Sequence, residues 1–189
     1  MEFGTTEHEE LVRKRATRQA GTTIRRWSHI ASRVRDLEAT RHFYEDLLGL
    51  PLVTAHSALV DPEAPDVPTN YMHAFFELGD GTCIAFFQFA PGLREDPVEH
   101  PTDPYERHLA MQIDTMEQIE ELKQRLTASN WPWRVIDHGA FYSLYVNDPD
   151  GDTIELTYHR AIVDLVYCQD NPHQKLREWL EEAKAQPVQ

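Results

Sequence analysis

Asp80-Gly81-Thr82-Cys83-Ile84-Ala85 and Asp150-Gly151-Asp152-Thr153-Ile154-Glu155 are the two stretches on which the fold turns. Each opens with Asp-Gly, a favoured pair for a tight turn because glycine takes a left-handed backbone at no steric cost. Each then runs into residues that suit a strand. The copies differ at their last position. The first has the methyl group of Ala85, and the second has the carboxylate of Glu155, a charge set in the otherwise apolar run Thr153-Ile154-Glu155-Leu156-Thr157. Alternation along a strand turns Glu155 away from Ile154 and Leu156, so a solvent-facing carboxylate is the ordinary alternative to a buried, functional one.

Working outward from the first copy, Met72–Leu78 and Thr82–Phe89 read as a hairpin around Gly79-Asp80-Gly81. Leu52–Leu59 reads as a strand, and residues 61–70, with three prolines, as a loop. Upstream, Trp27–Val34 reads as a strand. Asp36 is placed to cap a helix whose apolar face is Leu37, Phe43, Tyr44, Leu47 and Leu48, with Gly49 and Pro51 ending it. The second copy has the same order: strand Leu109–Ile113, helix Thr115–Ala128 with Met116, Ile119, Leu122 and Leu126 on one face, then strands Trp133–Ile136, Ser143–Val146 and Thr153–Tyr158. A β-α-β-β-β unit thus occurs twice, at residues 27–90 and 107–159, joined by a proline-rich linker at 91–106. His29 near the start of the first unit lies opposite His108 near the start of the second.

Outside the repeat, residues 1–24 read as an N-terminal arm, with Glu7–Arg18 helical in composition and a disordered tail as the alternative. The C-terminal extension, 161–189, holds a helix over His173–Ala185 whose stripe of Leu176, Trp179, Leu180 and Ala183 is expected to pack on the core, or else on a second subunit.

A formal net charge of -14 disfavours nucleic acid, which needs a basic surface to displace counterions. No apolar run approaches the ~20 residues that cross a bilayer, so no membrane span is expected. The polar, acidic start does not resemble a signal peptide. Two cysteines, Cys83 and Cys168, make neither a metal spacing nor a disulfide framework, which suits a reducing cytoplasm.

Two imidazoles and a carboxylate can occupy one face of a divalent metal and leave other positions open. With ten histidines in the chain, spacing alone does not select His29 and His108; equivalent placement in the repeat does. Resemblance adds to this. Trp27-Ser28-His29-Ile30 and the run from Val34 to Leu50 resemble the first module of the vicinal-oxygen-chelate superfamily, which includes glyoxalase I, fosfomycin-resistance enzymes, bleomycin-resistance proteins and type I extradiol dioxygenases. Asn147-Asp148-Pro149-Asp150-Gly151 through Leu156 is similar to that superfamily's metal-ligand strand. The resemblance covers about residues 27–159. It implies an α+β fold of two βαβββ modules forming an incomplete barrel around a metal held by His29, His108 and Glu155. Ala85 cannot coordinate, which favours three protein ligands over the four of glyoxalase I.

Ile136-Asp137-His138, then Leu144-Tyr145, Asp148-Pro149-Asp150-Gly151 and Glu155, resembles the extradiol dioxygenase signature at each fixed point, and implies catalytic roles for His138 and Tyr145. One departure stands against it. Many extradiol enzymes carry a further acid-base histidine where this chain has Gly81-Thr82-Cys83-Ile84, and His73 or His100 would have to substitute. The expectation is a cytoplasmic Fe(II) enzyme, with Mn(II) or another divalent metal as the alternative, that opens a catecholic aromatic ring with O2. The other readings are a different metal-dependent reaction of the superfamily (lyase, isomerase or thiol transfer) and a protein that binds an aromatic ligand. Homodimers are common in this superfamily, and a homodimer is the assembly the resemblance allows.

Overall fold

The computed structural model describes residues 5–61, 64–93, 103–168 and 171–185. Most of the expected linker, including His100, lies outside them. The chain divides into two compact units, Arg25–His159 and the two terminal segments Met1–Ile24 with Arg160–Gln189.

In the larger unit, β1 (His29–Arg33) leads to α2 (Leu37–Arg41), followed by β2 (Leu52–Asp61), β3 (Ala64–Glu77) and β4 (Cys83–Phe89). The second repeat supplies β5 (Leu109–Ile113), α3 (Met116–Ala128), β6 (Trp133–Asp137), β7 (Phe141–Asn147) and β8 (Thr153–His159). These strands make two open, mixed four-stranded sheets with the orders β1-β4-β3-β2 and β5-β8-β7-β6. In each, the first strand runs parallel to the last and every other pair is antiparallel. β1 and β5 are therefore both edge strands.

Local chemistry accounts for the elements. The Asp36 carboxylate accepts from the Glu38 and Ala39 amides at 2.9 and 3.1 Å, two donors the first turn of α2 leaves unpaired. From His42 to Leu47 the helix widens to π-helical hydrogen bonding, with Leu48 N bonded to the Phe43 carbonyl. Thr115 and Gln118 form a capping box on α3. Gly81 and Gly151 both sit at positive φ, 79° and 98°, which is why Asp-Gly recurs at the two turns.

The strands extend further than the loop expected at 61–70. Residues 64–70 belong to β3, and the backbone pairs Val60 with Pro68 and Asp61 with Ala64. Prolines are tolerated there because the pairing is broken by register shifts, where a missing ladder donor costs little.

One face of each sheet builds the core. Ala74, Phe76, Ile84 and Phe86 of the first sheet and Leu144, Val146, Ile154 and Leu156 of the second are buried with Phe43, Tyr44, Ile119 and Leu126 from the helices. Burying each large apolar side chain stabilises by about 1.5–3 kcal/mol. The Tyr44 hydroxyl donates to Asp148 Oδ2 at 3.0 Å, and Asp148 Oδ1 in turn accepts from the Asp150 and Asp152 amides at 3.0 and 2.9 Å. This network fixes the turn that launches β8. Burial, then the Asp152 charge, pushes the Asp148 carboxyl above its usual range.

In the smaller unit, α1 (Thr5–Gly21) meets α4 (Val163–Tyr167) through Arg15, which pairs with Asp164 at 2.8 Å and lies over the Tyr167 ring. Cys168 Sγ donates to the Leu11 carbonyl. The arm is thus a helix with tertiary partners. In α5 (Pro172–Ala185), Leu176, Trp179 and Leu180 are exposed. Removing residues 1–24 should leave metal binding intact, because every candidate ligand lies in 25–159, while making the segment from 160 onward protease-sensitive. Limited proteolysis beside metal analysis checks this, and metal loss from a folded truncation would show that the arm helps build the site.

Candidate metal centre

The second sheet turns a polar face away from the core, and most of the expected site lies on it. Glu155 is only 9% exposed despite its charge. Alternation along β8 sends Ile154 and Leu156 into the core and Glu155 to the other side, as its pairing with Tyr145 on β7 requires. The solvent-facing alternative is excluded by its partners. Ser143 Oγ donates to Glu155 Oε1 at 2.6 Å, and His108 Nε2 lies 3.1 Å from Glu155 Oε2.

The other nitrogen of His108 determines what that last contact means. Nδ1 lies 2.7 Å from the Pro104 carbonyl oxygen. A carbonyl only accepts, so Nδ1 carries a proton. In the neutral imidazole Nε2 then presents a lone pair, which faces a carboxylate oxygen. Two acceptors at 3.1 Å repel unless a proton or a metal cation lies between them. The donor set, one imidazole nitrogen and one carboxylate oxygen held by Pro104 and Ser143, fits a divalent first-row metal.

His138 and Tyr145 join the same face. His138 Nε2 is 3.1 Å from the Tyr145 hydroxyl, and the Arg134 guanidinium lies 4.3 Å from the centre of the tyrosine ring. Burial, then the Glu155 charge, raises the Tyr145 pKa and keeps the phenol protonated. His108, Glu155, Tyr145 and His138 therefore form one continuous polar strip.

His29 does not reach it. Among the described residues no three His, Cys, Asp or Glu side chains within one chain are grouped closely enough to hold a metal. Topology sets His29 apart from that strip. His29 opens β1 at the edge of the first sheet, His108 precedes β5 at the edge of the second, and those strands do not pair. Ala85 is buried in register with Ala31 and Phe75.

His29 belongs instead to a cluster that the sequence reading did not assemble. Its Nδ1 is 3.2 Å from Ser28 Oγ, and its ring meets those of Phe75 and His73 edge-on. His56 and His73 are cross-strand partners, with ring centroids 5.2 Å apart. His73 stacks on Phe87 at 3.6 Å. It is buried, and burial, followed by repulsion from His56 and His29, lowers its pKa to about 4. A cavity of about 580 Å³ lies apart from both clusters. Five consecutive residues from Ala110 to Asp114 line it, so it follows the edge of β5, and Leu48, Leu50 and the exposed Trp27 also line it.

The sequence from residue 26 to 156 matches the family described as the glyoxalase/bleomycin resistance protein/dioxygenase superfamily. No curated protein matches the chain. Among solved structures, a glyoxylase/bleomycin resistance protein/dioxygenase domain from Frankia sp. EAN1pec superposes with a TM-score of 0.54 at 18% identity, covering 70% of this chain and 96% of that one. TnmS3, an antibiotic binding protein from Streptomyces sp. CB03234, gives 0.52 at 16% identity, covering 74% and 99%. The fosfomycin resistance protein FosX from Listeria monocytogenes gives 0.50 at 23% identity, covering 73% and 96%. At these identities the likeness is one of fold.

Proposed function

Since this chain belongs to the glyoxalase/bleomycin resistance protein/dioxygenase superfamily, we propose that it is an Fe(II)-dependent, extradiol-type dioxygenase that opens a catecholic ring with O2. The observation that carries the metal is the His108–Glu155 contact, where the Pro104 carbonyl holds the ring through Nδ1 and turns Nε2 toward a carboxylate oxygen. What points to ring cleavage is the link from Glu155 through Tyr145 to His138, the pair singled out by the extradiol-like stretch.

A divalent iron bound there would chelate the two adjacent oxygens of a catechol and favour their deprotonation. The chain's own groups do the rest. His138 Nε2 is set to accept or return a proton, and the protonated Tyr145 hydroxyl is set to donate to a substrate oxygen. Ser143 holds Glu155 in place and leaves Oε2 for the metal.

His29 is the third ligand in this reading, and it comes from a second copy. Among the described residues β1 and β5 are each the edge strand of their sheet, and an edge strand is a ready template for another chain. An apolar groove runs along the β5 edge. Twofold pairing that sets β1 of one copy beside β5 of the other carries His29 toward the partner's half-site, twice per dimer.

The histidine absent from Thr82-Cys83 favours a second reading, a non-oxidative metal enzyme of the same superfamily. Anaerobic Fe(II) loading, catechol addition and then O2 separate the two. Ring cleavage predicts a yellow product and one O2 consumed per catechol; a complex that binds catechol and consumes no O2 moves the assignment to the non-oxidative branch. His138→Phe should keep its metal and lose roughly 10²- to 10⁴-fold in turnover. Tyr145→Phe removes one hydroxyl and should lose less. Undiminished turnover in His138→Phe would remove that residue from the mechanism.

A further inference from the structure

Three buried aspartates stand in the turn that launches β8, and each is taken by a different element. Asp148 accepts from Tyr44, Asp150 from Arg35, and Asp152 pairs with the Arg107 guanidinium. The first two ties reach back to the first module; the third goes to the residue beside His108. Parallel β5 and β8 begin their pairing at Leu109 and Ile154, so two residues further back Arg107 and Asp152 stand level. Their ion pair carries the strand pairing past its last backbone partner and brackets His108, whose side chain is 40% exposed. Asp152 is a firm post, since its amide donates to Asp148 Oδ1 at 2.9 Å and its carbonyl accepts from the Asp148 amide at 3.0 Å. Arg107 closes the turn that begins at Asp103, whose carbonyl accepts from the Glu106 and Arg107 amides at 3.0 and 3.3 Å. Within that turn lies Pro104, whose carbonyl holds His108 Nδ1 at 2.7 Å. The repeat supplies a comparison. At the place of Asp152 the first module has Thr82, whose hydroxyl bonds locally to Asp80 Oδ1 at 2.6 Å, and the strand that follows carries Ala85 where the second carries Glu155. Burying a carboxylate is costly unless it is paired, and launching such a strand does not require one.

We infer that Arg107 and Asp152 are positioning residues for the metal half-site: their ion pair fixes the segment from Pro104 to His108 against β8 and so keeps His108 Nε2 aimed at Glu155 Oε2. This rests on the reading of His108 and Glu155 as metal ligands. Arg107 and Asp152 act through His108 and do not themselves coordinate. Arginine suits the task because its planar fork fixes direction as well as charge, which a lysine ammonium does not.

The test titrates full-length protein with Mn(II), reads the free ion by electron paramagnetic resonance, and records the melting temperature of the metal-free protein alongside. Arg107→Met keeps the stem of a partly exposed side chain, so it should fold. It should bind Mn(II) roughly 10- to 100-fold more weakly, the usual cost of losing a group that orients a ligand. Asp152→Asn should lose as much, and the double variant no more than either single one, because the same link is broken in all three. Arg107→Lys should recover part of the loss. Tyr44→Phe is the control. It removes the 3.0 Å hydrogen bond to Asp148 and loosens the same turn, so it should melt lower while binding Mn(II) like wild type. Should Asp152→Asn not fold, the two Arg107 variants and the Tyr44 control decide the matter. If Arg107→Met binds Mn(II) as tightly as wild type, the inference falls and the metal reading stands. An equal loss of affinity in Tyr44→Phe, or losses that add in the double variant, would overturn it too, by making Arg107 and Asp152 ordinary supports of the turn. If wild type binds neither Mn(II) nor Fe(II), the metal reading falls, and this inference falls with it.

Discussion

Glu155→Ala is expected to lose tight metal binding altogether. Two half-ligands meet at Glu155 Oε2 and His108 Nε2, 3.1 Å apart, and removing either leaves the metal with too few protein donors to compete with water or a chelator. Replacing groups that merely orient a ligand typically costs 10- to 100-fold in metal affinity. Ser143→Ala, which takes away the 2.6 Å hydrogen bond to Oε1, should fall within that range, and Glu155→Ala well beyond it. Chelator competition followed by metal analysis reads both variants on one scale, against about one Fe or Mn per wild-type chain. Folding should survive, because Glu155 lies on the polar face of β8 and the core side chains Ile154 and Leu156 are untouched. Stoichiometric metal retained by a His108→Ala/Glu155→Ala protein would overturn the assignment.

The second large effect is complementation. His29→Ala and Glu155→Ala are each expected to abolish metal binding when expressed alone. Co-expressed with different tags and purified as the mixed dimer, they should regain about one of the two sites, because a twofold dimer pairs the intact His29 of one chain with the intact His108 and Glu155 of the other. Metal and turnover should return together. No single-chain site behaves this way, since every chain in the mixture lacks a ligand. Mixed dimers that remain empty, or wild-type protein that holds its metal as a monomer, would refute the shared site.

Patterning made several features legible before any coordinates. Asp80-Gly81 and Asp150-Gly151 mark turns that need positive φ, and φ is positive at both glycines. The helical spacing of Phe43, Tyr44 and Leu47 marks a buried face, and all three are buried. These signals are local: each depends on residues a few positions apart and on the steric limits of the backbone. The proline-bearing stretch 61–70 failed as a loop because its pairing depends on the opposite strand and its bulges, which no local rule contains. The stripe on α5 was readable as apolar but not as exposed, since periodicity reports a face and says nothing of what covers it.

The candidate site divides in the same way. The sequence by itself determined the repeat and the turn chemistry, and it nominated Glu155 and His108 through the alignment of two equivalent modules, and His138 and Tyr145 through a resemblance to a family motif. Only the tertiary structure decided that Pro104 holds the His108 ring through Nδ1, that Ser143 holds Glu155, that His56 and His73 are cross-strand partners, and that His29 stands apart from His108 and Glu155. Each of these depends on strand register or sheet order, and a one-residue slip in register turns every side chain to the opposite face. Residue types along a chain specify which groups are present; the pairing of strands distant in sequence specifies which of them meet.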